Sequence, residues 1–329
     1  MRRREFITLL GGAIATWPLA APAQQRERVR QIGYLHSASR SQFVDAAFRQ
    51  GLQTMGFVEG QNVTIEGRWA QGAFDQLPRL VAELIGMHVE LIAAAGTPAV
   101  GVAKAASVKA VPNIPVVFVM GGDPVAEGIV ESLNRPGGNI TGITTVSAAL
   151  TPKRLELVRE FLRDGAPIAF LLNPASSLSE PDRKDAEAAA AAIGQRLEIL
   201  TASNQAEIER AFATLSQRKF SVLIIAADLY FYSQMQRMAT LAAQTNVPAI
   251  GPLREFAAEG GLLSYGASIP EVNRQVGVLV GRVLNGARPA DLPVQQPTKF
   301  ELVINLKTAK ALGIDFSPKL LAVADEVIE

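Results

Sequence analysis

Polar and aromatic side chains follow directly after short apolar runs at several points of the chain. His36 and Ser37 come after one run, Thr97 after a second and Asp228 after a third. Hydroxyl, amide and carboxylate groups beside open backbone N–H groups recognise a molecule through hydrogen bonds. The residues of this kind, which we take as candidate ligand-binding residues, are His36, Ser37, Trp69, Gly96, Thr97, Pro98, Gly122, Asp123, Asn173, Pro174, Asp228, Tyr230 and Tyr265.

Each polar candidate also has a structural role that its residue type allows. Thr97 and Asp123 precede prolines, as an N-cap residue at the start of a helix would. Asn173 followed by Pro174 suits a plain turn. Asp228 is either a cap or a ligand group, and we favour the ligand group because the preceding strand is fully apolar.

The aromatic candidates are open to two interpretations as well. Tyr230 and Tyr265 suit stacking on a ring, but aromatic residues usually pack in a core or at its rim. Trp69 ends a predicted strand and is either a wall of the site or a packing residue. His36 lies at the favoured end of its strand and is either a ligand contact or a structural histidine.

The composition argues against several kinds of chemistry. The chain has no cysteine, which excludes disulfides and thiol catalysis, and its two histidines exclude a His-rich metal site. The motifs G-x-S-x-G, G-x-x-x-x-G-K-[ST] and H-E-x-x-H are missing, although a glycosidase-like carboxylate pair stays open. The net charge of +1, without a basic run after the first residues, argues against nucleic acid as a partner. We therefore expect no enzyme activity, no metal and no cofactor.

The first 23 residues read as an export signal. Arg2, Arg3 and Arg4 precede a mostly apolar stretch, and Ala21 and Ala23 supply the small residues that signal peptidase requires. The run R-R-E-F-I at 3–7 resembles the twin-arginine export motif. The alternative is a basic N-terminus on a cytosolic protein. We expect cleavage after Ala23 and a soluble periplasmic product.

Short apolar runs of strand type alternate with amphipathic runs of helix type, in two successive series. Such alternation predicts a mostly parallel sheet with helices on both faces, so two series predict two doubly wound, flavodoxin-like lobes. Ligands bind such sheets beyond the carboxyl ends of the strands. If these ends face one another, the candidate residues line a shared cleft. The predicted strands are 32–35, 63–69, 91–95, 116–120, 168–172, 197–200, 222–227, 248–251 and 300–306, with helices including 181–193, 205–216 and 270–285.

Several further runs resemble one family. They are F-R-Q-G-L (48–52), G-Q-N (60–62), A-A-G-T-P-A (94–99), G-G-D-P-V (121–125), R-P-G-G-N (135–139), R-E-F (254–256), S-Y-G (264–266) and the segment 292–306. In these runs the chain resembles the ABC-transporter substrate-binding proteins that include tryptophan- and other aromatic-amino-acid-binding proteins. Members of that family have the type I periplasmic-binding-protein fold.

The resemblance implies two lobes joined by a three-segment hinge, with connections near 141–146, 265–269 and 288–298. It also implies a passive role in import. A monomeric protein would capture a small molecule, such as an amino acid or a related compound, and deliver it to a permease that it contacts directly and that works with an ATPase. The expected division is a signal peptide at 1–23, an N-terminal lobe of 28–143 plus 268–290, and a C-terminal lobe of 144–267 plus 291–329.

Two other functions stay open at this point. A periplasmic sensor subunit would use the same ligand-driven closure to report a solute to a membrane receptor. A periplasmic enzyme on a two-lobe scaffold is the third hypothesis. The export signal, the twin lobes and the missing catalytic motifs favour the first two over the enzyme.

Overall fold

The computed structural model describes residues 29–145, 147–162, 166–176 and 178–329. The expected export signal and its cleavage site lie outside these residues. Among the described helices, none is long and apolar enough to cross a membrane. The described residues form two α/β lobes, each built on one sheet, which confirms the predicted fold class.

The first sheet has five parallel strands in the flavodoxin-like order β2-β1-β3-β4-β5. The central strands β3 and β4 are continuous apolar runs because helices cover both of their faces. The alternating strand β2 lies at the edge, as its pattern predicts. The strands are β1 (Arg30–His36), β2 (Val63–Trp69), β3 (Leu91–Ala95), β4 (Val116–Met120) and β5 (Ile140–Thr144).

Helices cover the first sheet on both faces. One apolar core joins the sheet to α2 and α3, and another joins it to α1 and α10, although α10 lies between strands of the other lobe in sequence. Each helix buries a stripe of residues at three- and four-residue spacing. The helices are α1 (Gln42–Thr54), α2 (Leu77–Gly86), α3 (Thr97–Ser107) and α10 (Ile269–Leu284).

The second sheet repeats this order with two strands added. Its order is β7-β6-β8-β9-β10-β11-β12, and β11 runs antiparallel to β10. The strands are β6 (Ile168–Leu172), β7 (Leu197–Thr201), β8 (Val222–Ile225), β9 (Ala249–Gly251), β10 (Leu263–Ala267), β11 (Phe300–Asn305) and β12 (Glu326–Ile328). The helices are α4 (Thr151–Val158), α5 (Ser179–Ala192), α6 (Gln205–Gln217), α7 (Leu229–Ser233), α8 (Met235–Thr245), α9 (Arg254–Ala258), α11 (Leu306–Leu312) and α12 (Pro318–Ala322).

The chain passes between the lobes three times. It crosses after β5, between β10 and α10, and before β11. Leu292 and Val294 pack in the cores of the first lobe, and Gln295 bridges to Ile143 of β5. The chain therefore stays in the first lobe beyond the expected boundary at 290/291, because the side chains of Leu292 and Val294 are buried there.

Local helix signals were partly wrong. Thr97 is the first residue of α3, and the N-cap is Gly96, which makes no side-chain bond. Asp123 begins a turn instead of a helix, and its Oδ1 accepts from the N–H groups of the second and third residues after it. The helix predicted at 205–216 is confirmed as α6, and Asn204 is its N-cap, with Oδ1 accepting from Glu207 N at 3.1 Å.

Candidate ligand-binding cleft

The carboxyl ends of the strands in the two sheets meet across a cleft. A Cβ placed on Gly96, after β3, would lie 2.8 Å from Leu229 Cδ1, just after β8. A Cβ on Gly122, after β4, would lie 3.3 Å from Leu178 Cδ2, just before α5. At both places a leucine of the second lobe faces a glycine of the first. The strand ends therefore face one another, as the site hypothesis required.

Ser37 holds the start of α3 at this cleft. Its side chain is fully buried, and its Oγ accepts from the N–H of Ala99 at 3.0 Å. This bond replaces the local cap that Gly96 cannot provide. The hydroxyl of Thr97, the next residue, has no hydrogen-bond partner among the described residues, and its side chain is half-buried. The helix start thus offers the Thr97 N–H and hydroxyl, together with the positive end of the helix dipole.

His36 is a neutral hydrogen-bonding residue at the end of β1. Burial lowers the pKa of His36 to about 4, against an opposing effect of the Asp45 carboxylate. Its Nδ1 accepts from the N–H of Ala38 at 2.9 Å. The ring proton therefore sits on Nε2, which leaves that nitrogen as a donor.

Asn173 and Asp228 form one buried unit at the ends of β6 and β8. Asn173 Nδ2 donates to Asp228 Oδ1 at 3.0 Å, and the N–H of Phe231 donates to the same oxygen at 3.0 Å. Asp228 is thus the N-cap of α7, one of the two roles its position allowed. Its Oδ2 has no hydrogen-bond partner among the described residues. Asp228 can therefore cap α7 through Oδ1 and contact a ligand through Oδ2. Asn173 Oδ1 accepts from Ala175 N at 3.0 Å across Pro174, so the plain turn is also present.

The aromatic candidates pack mainly within their own lobes. Tyr230 is half-buried against the core of α6 and α8, and Tyr265 packs 6.1 Å from the ring of Phe300. A Cβ on Gly67 would lie 2.1 Å from Trp69 Cη2, so the Trp69 ring folds back along its own strand. This places the indole in the groove between α1 and β2, directed away from the strand end.

Glu127 is a candidate that the sequence reasoning missed. Its Oε1 occupies the space above Gly122, 1.8 Å from where a Cβ would be, beside Leu178 of the other lobe. Burial and the nearby Asp123 carboxylate raise the pKa of Glu127. Its backbone N–H donates to the carbonyl of Asp123 at 3.0 Å, but no hydrogen bond or ion pair of its side chain is found within the described residues. The turn that starts at Asp123 carries Glu127 there. No local signal in the sequence marks this position, because Asp123 before Pro124 resembles the start of a helix.

A buried polar cluster supports the second-lobe side of the cleft. Arg154 is 1% exposed, and its Nε donates to the carbonyl of Tyr265 at 2.9 Å. Its Nη1 donates to Thr151 Oγ1, which in turn donates to Asp182 Oδ1. Burial raises the pKa of Asp182 to about 6, although Thr151, Arg154 and the N–H of Ala227 all favour its ionised form. The cluster fixes α4 and α5 against the strand ends.

Groups of acidic and histidine side chains suited to a metal ion are not found among the described residues. The cleft offers hydrogen-bond donors from the first lobe, at Thr97 and His36. It offers acceptors from both lobes, at Glu127 and Asp228. Such an arrangement can bind a small polar molecule without reacting with it.

Two doubly wound lobes that meet at their strand ends define the class of two-lobe solute-binding proteins. A family model described as "ABC transporter substrate binding protein" matches residues 34–328. The chain therefore belongs to the ABC transporter substrate-binding protein family, which the resemblance of its motifs predicted.

Individual proteins of known sequence or structure are similar over most of the chain. The "Tyrosine-binding protein" of Clostridioides difficile (strain R20291) is 26% identical over 267 residues, which are 81% of this chain and 75% of that protein. The structure of an ABC domain in complex with L-Trp from Streptococcus pneumonia has a TM-score of 0.80 at 24% identity, covering 91% and 99% of the two chains. A conserved domain protein from Vibrio cholerae has a TM-score of 0.80 at 26% identity, covering 91% and 100%.

Proposed function

We propose that this protein captures an amino acid or a closely related zwitterion between its two lobes and delivers it to an ABC permease and its ATPase. The observation that carries the proposal is the pairing of Leu229 with Gly96 and of Leu178 with Gly122 across the cleft. A ligand held between these two contacts touches both lobes at once. The tyrosine-binding relative and the L-Trp complex add support for the class of ligand.

The charges of the cleft fit the two ends of a zwitterion. Thr97 would present its N–H and hydroxyl to the ligand carboxylate, where the helix dipole favours negative charge. Asp228 Oδ2, on the facing lobe, would accept from the ammonium group. Glu127, the unpaired carboxylate above Gly122, would be a second acceptor for that group. A ligand bridging Thr97 and Asp228 would hold the lobes closed.

The remaining candidates have supporting roles in this proposal. His36 would donate from Nε2, and Asn173 would keep Asp228 in place through their hydrogen bond. Gly96, Pro98 and Gly122 would shape the first-lobe wall, and Ser37 would hold α3. Tyr230 and Tyr265 would contribute as rim residues.

We further propose that the chain acts in the periplasm as a monomer and returns its ligand unchanged. The basic n-region, the apolar stretch and the small residues before 24 support export. The cleft groups support binding, since the acceptors Asp228 and Glu127 lie beside no activated nucleophile among the described residues. The connections after β5, before α10 and before β11 would be the three segments of the hinge.

A thermal-shift screen with the twenty L-amino acids and simple carboxylates tests this function. A ligand at about 100 times its dissociation constant stabilises the protein by about 2.7 kcal/mol, a readily measured rise in the unfolding midpoint. We expect one or a few amino acids to bind near one-to-one and to be recovered intact. If the protein still converts the bound solute into a product after it has been purified again, it is an enzyme and the transport assignment is wrong.

A further inference from the structure

A second polar cavity lies in the first lobe, in the groove between α1 and β2. Its volume is about 270 Å³, and its walls are formed by β1, β2, α1 and the loops beside them. That is many times the space that one water molecule needs, and slightly below the size of typical drug-sized sites. Tyr34 and Trp69 line it from the sheet, and Asp45, Phe48 and Arg49 line it from α1.

Two residues that line the cavity each carry a buried polar atom without a hydrogen-bond partner among the described residues. Tyr34 is 2% exposed, and within the described part of the chain nothing bonds to its hydroxyl. The same is true of the buried indole Nε1 of Trp69. Leaving a buried donor unsatisfied costs about 1–3 kcal/mol, so two of them on one cavity indicate a missing acceptor.

The chemistry of these two atoms defines what would satisfy them. An indole N–H only donates. Burial, reinforced by the Asp45 carboxylate, raises the pKa of Tyr34, so the phenol keeps its proton and donates as well. Both groups can therefore donate a hydrogen bond to an oxygen acceptor such as a carbonyl or a carboxylate.

The charges around the cavity select against an ion. Arg40 pairs with Asp45 at 2.7 Å, and Arg49 pairs with Glu59 and approaches Asp45 at 3.8 Å. The Arg40 guanidinium also lies 5.1 Å from the centre of the Trp69 ring and lines the groove. Including Arg68 and Glu66, the lining carries three arginines and three carboxylates. A guest without net charge therefore fits this balance best.

We propose that this cavity is a second binding site, which takes a small solute without net charge, an amide or a zwitterion, through a carbonyl or carboxylate oxygen. The oxygen accepts from Tyr34 Oη and Trp69 Nε1. The site is independent of the interlobe cleft, because the Trp69 ring turns back from the strand end over Gly67. It goes beyond the proposed import function and does not rest on it.

The sequence provides a direct probe of the site. The chain has two tryptophans, Trp17 and Trp69, and Trp17 lies within the expected signal peptide. In the exported chain, or in a Trp17→Phe variant of the full chain, the single indole N–H resonance in an ¹H–¹⁵N spectrum reports on Trp69. The probes are N-acetylglycinamide, L-serine and acetate, which are neutral, zwitterionic and anionic in turn.

We expect the neutral or the zwitterionic probe to shift the Trp69 resonance saturably. Tyr34→Phe should weaken this titration roughly 3- to 10-fold, the usual effect of one hydrogen bond. Ser264→Ala is the matched control, because it removes a buried, unpartnered hydroxyl from the other lobe. It should leave the titration unchanged.

Three results would overturn the proposal. The first is a shift that grows linearly with every probe, and the second is a titration that is identical in Tyr34→Phe. The first would mean that the cavity holds only water, and the second would mean that the probe does not accept a hydrogen bond from Tyr34. The third is binding of acetate alone, which would contradict the charge balance. Repeating the titration in Gly96→Ala separates the two sites, since that variant hinders the cleft and should leave Trp69 unaffected. Failure of the cleft ligand to bind would overturn the proposed function and leave this site standing.

Discussion

Leu229 packs against Gly96 across the cleft, with its Cδ1 2.8 Å from where a Cβ on Gly96 would be. Leu229 is the chain neighbour of Asp228, and Gly96 is the chain neighbour of Thr97. This one contact therefore brings together the two residues proposed to hold opposite ends of the ligand. It also explains a glycine at 96, where φ is +93° and no larger side chain would let the lobes approach.

Gly96→Ala should hinder closure. The added methyl meets Leu229 and Ser37, so we expect ligand affinity to fall roughly 5- to 100-fold, the effect of about 1–3 kcal/mol of overpacking. Gly286→Ala is the control, because it has a similar φ of +97° and nothing within 4 Å of the added Cβ. Isothermal titration with the solute found by the screen measures both. Leu229→Ala in the Gly96→Ala background should restore part of the affinity, and no restoration would mean that the clash lies within the first lobe.

Asp228→Asn separates the two roles of that residue. The amide keeps an oxygen for the N–H of Phe231 but removes the charge proposed to meet the ammonium group. Affinity should fall by tens-fold, as loss of a charged hydrogen bond of about 1.5–3 kcal/mol predicts. Asp228→Ala should bind as weakly and also lose about 1 kcal/mol of stability through the missing cap of α7. Unchanged affinity in Asp228→Asn would refute the clamp while leaving solute binding intact.

Ser37→Ala and Thr97→Val test the start of α3. Ser37→Ala leaves the N–H of Ala99 buried without its acceptor, so the free energy of unfolding should fall by about 1–3 kcal/mol. Thr97→Val removes a hydroxyl that caps nothing, so stability should change little while affinity falls. Urea unfolding of the ligand-free proteins measures the difference. Equal destabilisation by the two changes would show that Thr97 is the cap after all.

Asp182 should make stability depend on pH. Its pKa is about 6 in the folded protein against an ordinary 3.8. The folded state therefore holds a proton that the unfolded state releases between these values, and this contribution to stability is full below about pH 4 and lost above about pH 6. Relative to Asp182→Asn, the wild type should lose on the order of 2–4 kcal/mol between about pH 4 and pH 7.

Urea unfolding of both proteins across this range measures the change in their difference. A constant offset from altered packing or hydrogen bonding in the variant does not affect it. The lowered pKa of His36 makes the folded protein less stable at acid pH. This effect is the same in the wild type and in Asp182→Asn, so it cancels in the difference. A difference that does not vary with pH would show that Asp182 titrates normally.

Export should depend on the arginine pair at 3–4. Replacing both residues with lysine (Arg3→Lys, Arg4→Lys) should leave an uncleaved precursor in the cytoplasm if the twin-arginine route is used. Cell fractionation with immunoblotting of precursor and processed chain measures this. Replacement of Arg2 alone is the control, because it lies outside the pair. Normal processing of the double variant would point to the general secretory route.

The sequence by itself determined the two-lobe α/β architecture and the family. Strand and helix patterns depend on residues only two to four positions apart, so β3, β4 and α6 could be predicted locally. The rule for strand ends then placed candidate residues such as Thr97 and Asp228 without any structure. The motif runs identified the family because they extend over nearly the whole chain after the signal.

The tertiary structure decided the contacts between distant residues. Ser37 caps a helix 62 residues later. Helix α10 packs on the first lobe although in sequence it lies between β10 and β11 of the second sheet. No local pattern reports such contacts, because they depend on how the sheets twist and on where the chain crosses between lobes. The same holds for Glu127 above Gly122 and for the Trp69 ring folded over Gly67. Local periodicity fixed the strands and helices, and long-range packing chose which of their side chains reach the cleft.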